Sequence, residues 1–264
     1  MNKKFKKIPL KKLGGLNNSN YLFELQNKKY VLRVPSKDND NNFYYENKIL
    51  NLIKPLDISP EIIYHNKYTG VLISKYIKSN KFDINFYNSS TFINSIVNIL
   101  FTLHNQKSNN YFNPFNEIYK NIEFLISINF NFNHDINILI NKLKSLEKEL
   151  TKKIHYGLCH NDLNTSNILY CDNLVYLIDF EFSGMGDIFF DLATISWFLK
   201  DTFQKELIET YFGHYNIDLQ NKLNNYLFVV KLWNATWSYI KSLNSNSIYD
   251  YKLGANMILD DLFK

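Results

Sequence analysis

The chain has 264 residues, a formal net charge of +5 and a hydrophobic content of 45%. Its length fits one large domain or two small lobes, and its apolar content argues against an intrinsically disordered chain. Six lysines fall within the first twelve residues, but no apolar secretory segment follows them and no stretch is long enough to span a membrane as a helix. We therefore expect a cytoplasmic protein with reduced cysteines and a solvated N-terminal strand that does not bind nucleic acid.

Residues 1–78 predict a small β-rich lobe. The segment NYLFELQNKKYVLRVP alternates apolar and polar residues on both sides of a turn near Asn27, which indicates a hairpin. The next segment, FYYENKILNLIK, has helical periodicity and carries Glu46 in its first turns. PEIIYHNKYTGVLISKYI then predicts a second hairpin that turns near Gly70.

Residues 79–264 predict a larger, mainly helical lobe. The segment SSTFINSIVNILFTLHNQ is helical in pattern and begins with Ser and Thr capping candidates. Helical patterns follow near 115–128 and 135–152, and four more fill residues 187–263. The predicted fold class is therefore α+β, with a small β-rich N-terminal lobe, a larger helical C-terminal lobe and a cleft between them.

The segments CHNDLNTSNILY and VYLIDFEF place two acids and an amide at fixed distances along the chain. Asp162 lies in a loop between a helix and a short strand, where a rigid scaffold usually displays catalytic groups. Asn167 opens that strand, and Asp179 ends the next one after a tight turn at Asp172 and Asn173. A hairpin of this size should bring Asn167 and Asp179 side by side.

These three residues suit phosphoryl transfer. The carboxylate of Asp179 and the amide oxygen of Asn167 are ligands that Mg²⁺ prefers, and Asp162 is then left to accept a proton from an attacking hydroxyl. The spacing His-x-Asp-x-x-x-x-Asn is that of the protein-kinase catalytic loop, in which the work is divided in this way. Turn formation by Asp162 and Asn167 is the alternative, but their spacing behind a β-rich lobe favours catalysis.

The stretch HNDLNTSNIL, continued by LIDFEFSGMGDIFFDLA, resembles the aminoglycoside-phosphotransferase and choline-kinase superfamily. The likeness is greatest to bacterial choline kinases of the small type that serves cell-surface decoration. The resemblance extends over nearly the full length, through GGLNNSNYLF, YVLRVP and the end of the chain. The resemblance implies a protein-kinase-like fold, ATP and Mg²⁺ as cofactors, and a nucleotide bound by the first lobe. It also implies a structural role for Asp191, which would hold the catalytic loop, whereas we expect His104 to be a core histidine.

The nucleotide is expected to bind in the first lobe. LGGLNNSNY is a turn of small residues whose N–H groups can approach phosphates. Arg33 stands where kinases place a phosphate-binding lysine, and Glu46 is its natural partner, with a surface ion pair as the alternative. The connector after the second hairpin would hold adenine through backbone groups. The predicted nucleotide-binding residues are Gly15, Asn17, Asn18, Ser19, Asn20, Arg33, Glu46, Ser74 and Tyr76.

The acceptor is expected to bind in the helical tail. Trp233 and Trp237 are four residues apart, so they share a helix face, and Tyr251 follows on the next helix. Aromatic faces bind quaternary ammonium groups by cation–π interaction, and choline kinases have a Trp pair and a Tyr in these elements. Aromatic residues at helical spacing are often core, but the chain has only three tryptophans. The predicted substrate-binding residues are Asp162, Glu181, Trp233, Trp237 and Tyr251, and the predicted reaction converts choline to phosphocholine.

Some positions depart from the better-known animal choline kinases. The spacing of the two tryptophans differs, and Phe182 stands where those enzymes have Tyr. No obvious Glu follows Asp191 to complete their anionic wall, although Glu181 is near. Ethanolamine, thiamine and an aminoglycoside therefore remain alternative substrates, and the last would need a more acidic C-terminal pocket than Asp260 and Asp261 provide. A pseudokinase that binds without turnover is the remaining alternative, although it has no need of an intact Asp-Asn-Asp set.

Overall fold

The computed structural model describes residues 8–14, 18–36, 43–80, 83–172, 174–244 and 249–264. The chain divides into two compact units, one formed by Met1–Phe82 with Asp162–Ser183 and the other by Asp83–Asn161 with Gly184–Lys264. The segment that carries Asp162, Asn167 and Asp179 thus belongs to the same unit as the N-terminal sheet, and the lobe boundary at residue 78 stays a prediction. Within the described ranges, no helix combines the length and hydropathy needed to cross a bilayer.

Strands predominate at the start of the chain and helices in the remainder. The strands are β1 (Lys11–Lys12), β2 (Asn18–Leu25), β3 (Lys28–Pro35), β4 (Ile62–His65), β5 (Leu72–Lys75), β6 (Tyr156–Cys159), β7 (Ile168–Cys171), β8 (Leu174–Leu177) and β9 (Gly184–Asp187). The helices are α1 (Phe43–Ile53), α2 (Ile84–Tyr87), α3 (Ser90–His104), α4 (Pro114–Ser127), α5 (Ile136–Leu150), α6 (Phe189–Ser196), α7 (Asp201–Phe212), α8 (Ile217–Asn244) and α9 (Tyr251–Leu262).

The first unit contains an antiparallel sheet with the strand order β1-β2-β3-β5-β4. The first predicted hairpin is confirmed, since Gln26 and Asn27 join β2 to β3 with φ angles of 52° and 59°, the conformation that fits the twist of a two-residue hairpin. The second is confirmed by the pairing of β4 with β5. On helix α1, Glu46 is buried together with the apolar residues of the helix. The Glu46 carboxylate therefore needs a partner inside the unit.

The β7–β8 hairpin is joined to this unit by main-chain hydrogen bonds. The N–H of Asn80 donates to the carbonyl of Tyr170 on β7 over 2.8 Å. The N–H of Leu177 on β8 donates to the carbonyl of Ile58, also over 2.8 Å. These bonds place the segment that carries Asn167 and Asp179 next to the sheet.

The second unit is mainly helical, as predicted, and helices α3 to α9 confirm the predicted pattern. Ser89 caps α3 by accepting the N–H of Phe92 over 3.2 Å, and Asn113 and Asp135 cap the next two long helices in the same way, because short polar side chains satisfy the exposed N–H groups of a first turn. Gly213, with φ of 74°, ends α7.

A short sheet in the second unit was not predicted. Strands β6 and β9 are antiparallel, so Asp162 follows a strand, whereas the sequence pattern indicates a helix directly ahead of its loop. Four-residue strands are too short to give a clear periodic signal. The segment ahead of α4 forms a parallel bridge to β9, where the N–H of Phe112 donates to the carbonyl of Met185 over 3.0 Å. A Cβ atom at Gly184 would lie 3.1 Å from the Phe112 nitrogen, so this close approach favours glycine.

Candidate active site

The loop that carries Asp162 is braced by its own side chains. Asn167 Nδ2 donates to Asp162 Oδ2 over 2.8 Å and to the Asp162 carbonyl over 2.9 Å. Asn164 Nδ2 donates to Asp162 Oδ1 over 2.9 Å, and Asn164 Oδ1 accepts the N–H of Ser166, as asparagine does in such turns. Asn167 ends this turn and lies directly ahead of β7, close to the predicted strand start. Two amide donors thus fix the orientation of the Asp162 carboxylate.

The hairpin brings Asn167 beside the segment of Asp179, as predicted. The N–H of Ile178 donates to the Asn167 carbonyl over 3.0 Å, and Asp179 is the next residue. Asp172 forms part of the predicted turn with φ of 50°, whereas Asn173 lies outside the described residues. Asp179 has φ of 67°, a conformation that non-glycine residues adopt mainly where the surroundings impose it.

Arg33 links the sheet, α1 and the hairpin. Its Nη2 donates to Glu46 Oε2 over 2.6 Å, and its Nη1 donates to Asp179 Oδ1 over 2.8 Å. Arg33 is 7% exposed and Glu46 is 2% exposed, so the pair is buried and the alternative of a surface ion pair is wrong. Within the described residues, Arg33 Nε and Glu46 Oε1 are buried without a hydrogen-bond partner, an uncommon state that is found at functional sites.

His65 is a further partner of Glu46. His65 Nε2 lies 3.3 Å from Glu46 Oε2, and His65 Nδ1 lies 3.0 Å from Asn47 Oδ1. Burial raises the pKa of Glu46, but His65 and Arg33 outweigh this effect and hold the pKa below its usual value. Glu46 therefore stays ionised beside Arg33.

Negative charge is concentrated around Arg33, because the charges of Glu46, Asp179 and Glu181 all act on its guanidinium group. Burial raises the pKa of Asp179 to about 7, the negative charge of Glu181 adds to this effect, and Arg33 opposes it. Burial also raises the pKa of Asp162 well above its usual value, and the charges of Asp179 and Glu181 contribute. Raised carboxyl pKa values of this kind indicate a site where a cation would be stabilised.

The predicted phosphate loop is only partly described. Asn20 Nδ2 donates to the Gly14 carbonyl over 3.1 Å, which joins β2 to the residues directly after β1. Asn18 and Ser19 begin β2 and pair with the end of β3. Two predicted members lie outside the described residues, Gly15 and Asn17.

Ser74 and Tyr76 lie at the end of β5 and directly after it. Ser74 is buried. The N–H of Lys75 donates to the Glu61 carbonyl over 2.9 Å, and the N–H of Tyr76 donates to the Lys29 carbonyl over 3.0 Å. Because the sheet uses these two N–H groups, an adenine ring would have to bind other backbone groups of the connector.

In the second unit, Asp191 holds the backbone ahead of Asp162. Asp191 Oδ2 accepts the N–H of His160 over 2.7 Å, and Oδ1 accepts the N–H of Asn161 over 2.8 Å. His104 Nε2 lies 3.1 Å from Asp191 Oδ2, and both side chains are buried. This geometry agrees with the structural role expected for Asp191 and the core position expected for His104.

The two tryptophans of α8 have different environments. Trp233 is 5% exposed and contacts Phe112 and Phe190 edge-on, with centroid distances of 5.9 Å to each. Trp237 is only partly buried and lies edge-on to Tyr251, with a centroid distance of 5.9 Å. The predicted pair therefore consists of one core residue and one residue closer to the surface, because other elements cover only part of the shared helix face.

Tyr249 and Lys241 complete the surroundings of Trp237. The rings of Tyr249 and Tyr251 are 5.0 Å apart, and a Cβ atom at Gly254 would collide with the Tyr249 hydroxyl. Lys241 Nζ lies 5.4 Å from the centroid of the Trp237 ring, within the range of a cation–π contact. The indole face of Trp237 is thus accessible to a cation.

The acidic residues near the C-terminus are paired within the chain. Asp260 Oδ1 lies 2.6 Å from His134 Nε2 and accepts from Asn133 Nδ2 over 2.9 Å. Asp261 forms a 2.6 Å salt bridge with Lys231. These acids are therefore used to join α9 to its neighbours.

Some residues of these networks were not identified from the sequence. Asn164 had a local signal, since DLNTSN contains a pattern typical of asparagine-capped turns. His65, Phe112 and Tyr211, whose hydroxyl bonds to His104, had none, because their partners are distant in the sequence and only folding brings them together.

Comparisons with known proteins place these features in context. The model of the phosphotransferase enzyme family matches residues 10–224. Protein LicA from Haemophilus influenzae is 28% identical over 276 aligned residues, which cover 97% of this chain and 79% of that protein. The crystal structure of choline kinase LicA from Streptococcus pneumoniae has a TM-score of 0.82 at 24% identity, covering 97% of this chain and 93% of that one.

A crystal structure of a choline/ethanolamine kinase family protein from Mesorhizobium loti is also similar. Its TM-score is 0.80 at 22% identity, and the match covers 97% of this chain and 88% of that one. These likenesses, together with the sheet and helices described above, confirm the predicted protein-kinase-like fold class.

Proposed function

Since the chain belongs to the phosphotransferase enzyme family, we propose that it transfers the γ-phosphoryl group of ATP to the hydroxyl group of choline, giving phosphocholine. Its similarity to these proteins identifies it as a choline kinase-like phosphotransferase that acts on a small molecule. The choice of choline as acceptor, ATP as donor and Mg²⁺ as cofactor belongs to the proposal.

The observation that carries the proposal is the grouping of Asp162, Asn167, Asp179 and Arg33 in one compact unit. Asn164 and Asn167 orient Asp162, and burial raises its pKa, which brings a carboxylate closer to the strength that a general base needs at neutral pH. Asp162 would accept the proton of the acceptor hydroxyl as its oxygen attacks the phosphorus. Arg33 keeps its charge and would stabilise phosphate oxygens.

The donor set fits Mg²⁺. Asp179 and Asn167 provide oxygen ligands, and Asn167 turns its amide nitrogen toward Asp162, which leaves the amide oxygen as its ligand atom. The raised pKa of Asp179, about 7, supports the same assignment, because a divalent cation would relieve the uncompensated charge. When bound, Mg²⁺ would neutralise charge on the transferring phosphoryl group.

Trp237 and Tyr251 are the proposed contacts of the choline ammonium group. Aromatic faces stabilise a quaternary ammonium without needing a hydrogen-bond acceptor, and the cation–π contact of Trp237 with Lys241 supports its ability to bind a cation. Trp233, which is packed against Phe112 and Phe190, would contribute mainly through its packing. Glu181 would add a negative charge for the cationic substrate.

Ethanolamine and thiamine are the remaining small-alcohol candidates. An aminoglycoside has less support, because it would need several free carboxylates, whereas Asp260 and Asp261 are already paired with His134, Asn133 and Lys231. A pseudokinase is disfavoured by the intact and oriented set of Asp162, Asn167 and Asp179, since binding without turnover does not need a base.

The test is a coupled ADP-release assay with choline, ethanolamine, thiamine and an aminoglycoside as acceptors. We expect the highest kcat/KM with choline. Trp237→Ala should raise KM for choline without changing KM for ATP. Trp197→Ala is the matched control, because Trp197 also lies beneath a lysine, Lys231, at 5.7 Å but is not a proposed ligand. Turnover with another acceptor alone would contradict choline, and no turnover with any acceptor would contradict a kinase for small alcohols.

A further inference from the structure

Tyr211, on α7, is bonded to the network that holds the catalytic loop. Its hydroxyl lies 2.7 Å from His104 Nδ1, and His104 Nε2 lies 3.1 Å from Asp191 Oδ2. Asp191 in turn accepts the two main-chain N–H groups that directly precede Asp162 in the sequence. A continuous line of hydrogen bonds therefore runs from α7 to the start of the catalytic loop.

The proton positions along this line follow from the chemistry of its members. The Asp191 carboxylate only accepts, so His104 Nε2 must carry a proton. In the tautomer with the proton on Nε2 alone, the lone pair is on Nδ1, where it would accept the proton of the Tyr211 hydroxyl. Burial raises the pKa of Tyr211, so the phenol keeps its proton and remains a donor. Tyr211 thus selects the tautomer of His104 that can donate to Asp191.

A metal ion does not account for this cluster. Ligand atoms of His104, Cys159 and Asp191 lie within 4.8 Å of one another, but both nitrogens of His104 and both oxygens of Asp191 already take part in hydrogen bonds. Burial raises the pKa of the Cys159 thiol well above its usual value, and the charges of Asp191 and Asp187 add to this effect. In the metal-free protein the thiol therefore stays protonated.

We propose that Tyr211 is a positioning residue for Asp162 and acts through His104 and Asp191. The inference rests on the proposed function, in which Asp162 is the general base. Asn161 has φ of 66°, a conformation that needs support from its surroundings, and Asp191 supplies it. Without the Tyr211 hydroxyl, His104 can take the other tautomer, whose Nε2 lone pair would face the Asp191 carboxylate. The backbone ahead of Asp162 would then lose its fixed position.

The kinetic test is Tyr211→Phe, which removes one oxygen and keeps the ring. We expect kcat to fall about three- to tenfold, the size of one lost hydrogen bond, while KM for ATP and for choline stays within about twofold. Tyr119→Phe is the matched control, because the Tyr119 hydroxyl donates to Glu147 over 2.9 Å without a link to the loop. A wild-type kcat in Tyr211→Phe, or an equal loss in both variants, would overturn the proposal.

The second measurement uses ¹⁵N shifts of the His104 imidazole. In the wild type His104 should be neutral and protonated on Nε2, and Tyr211→Phe should lose this single tautomer. A wild-type His104 that is protonated on Nδ1, or on both nitrogens, would overturn the relay even if the variant failed to fold. If the wild type had this tautomer but did not phosphorylate choline or another alcohol, the proposed function would be wrong. The hydrogen-bonded chain from Tyr211 through His104 to Asp191 would still be correct.

Discussion

Asp179, a partly exposed acid in the first unit, and Asp191, an acid in the second, have charges that are compensated differently. Asp191 is fully buried and accepts two main-chain N–H groups beside His104. Asp179 is bonded to Arg33, and burial together with Glu181 raises its pKa to about 7. An acid surrounded by donors supports a loop, whereas an acid with incompletely compensated charge is suited to bind a ligand.

The aromatic residues of α8 differ in the same way. Trp233 is enclosed by other rings of the chain, while Trp237 is partly exposed and lies near one lysine. In both comparisons the residue type is the same, and its surroundings decide between support and binding. The following changes test that difference, in order of expected effect.

Asp162→Asn should have the largest effect on turnover. The amide cannot accept the hydroxyl proton, so kcat should fall about 10²- to 10⁴-fold, while ATP and choline still bind. Steady-state kinetics and thermal unfolding of the same samples check this prediction. One of the two amide donors, Asn164 Nδ2 or Asn167 Nδ2, would then face the new NH₂ group, so any decrease in stability should be about that of one lost hydrogen bond, about 1 kcal/mol. An unchanged kcat would show that Asp162 is not the base.

Asp179→Ala and Asn167→Ala compare what a carboxylate charge and an amide dipole each contribute at the proposed metal site. Asp179→Ala should reduce kcat about tenfold or more beyond Asn167→Ala, since a carboxylate compensates the metal charge better than an amide does. Added Mg²⁺ should restore part of the activity of Asn167→Ala, and a titration of activity against Mg²⁺ measures this. Equal losses that do not depend on Mg²⁺ would argue for a folding defect in place of a metal site.

Trp237→Ala and Trp233→Ala test the comparison within α8. A cation–π contact is worth on the order of 0.5–2 kcal/mol, so Trp237→Ala should raise KM for choline about 2- to 30-fold. Trp233→Ala should instead lower the free energy of unfolding by about 3–5 kcal/mol, as large truncations in a core do. Kinetics and denaturant unfolding measure the two effects. The assignment is wrong if Trp237→Ala folds and keeps the wild-type KM for choline.

The smallest expected effect is that of Asp179→Asn on how the stability of the metal-free protein depends on pH. The pKa of Asp179 is raised to about 7 in the folded protein, whereas an Asp in the unfolded chain has a pKa of about 3.9. Asp179 therefore contributes its full stabilisation below about pH 3.9, and this stabilisation is lost as the pH rises through about 7. Asp179→Asn should therefore unfold at a higher temperature than the wild type by a few degrees at about pH 8 and show little gain at about pH 4.

Asp191→Asn is the matched variant for this measurement. One carboxylate oxygen becomes an NH₂ group that cannot accept a main-chain N–H, so the variant should be less stable by about 1–3 kcal/mol. Near pH 8, Asp179→Asn should thus raise the unfolding temperature and Asp191→Asn should lower it. If both destabilise the metal-free protein, the difference drawn between Asp179 and Asp191 does not hold.

The sequence by itself determined the secondary-structure elements and the residues of the candidate site. The two hairpins, the long helices and the order of Asp162, Asn167 and Asp179 follow from local periodicity and fixed spacing, because these interactions connect residues close in the chain. The pairing of Arg33 with Glu46 was also predicted, since the helix that follows β3 carries an acid among its apolar residues.

Only the tertiary structure decided how each polar and aromatic group is surrounded. The buried state of the Arg33–Glu46 pair, the core position of Trp233, the pairing of β6 with β9 and the bond from Tyr211 to His104 depend on contacts between distant residues. Burial and the charges of such neighbours set the pKa of Asp179. A single residue pattern does not contain this information, because desolvation and partner choice depend on what the whole fold places around a side chain.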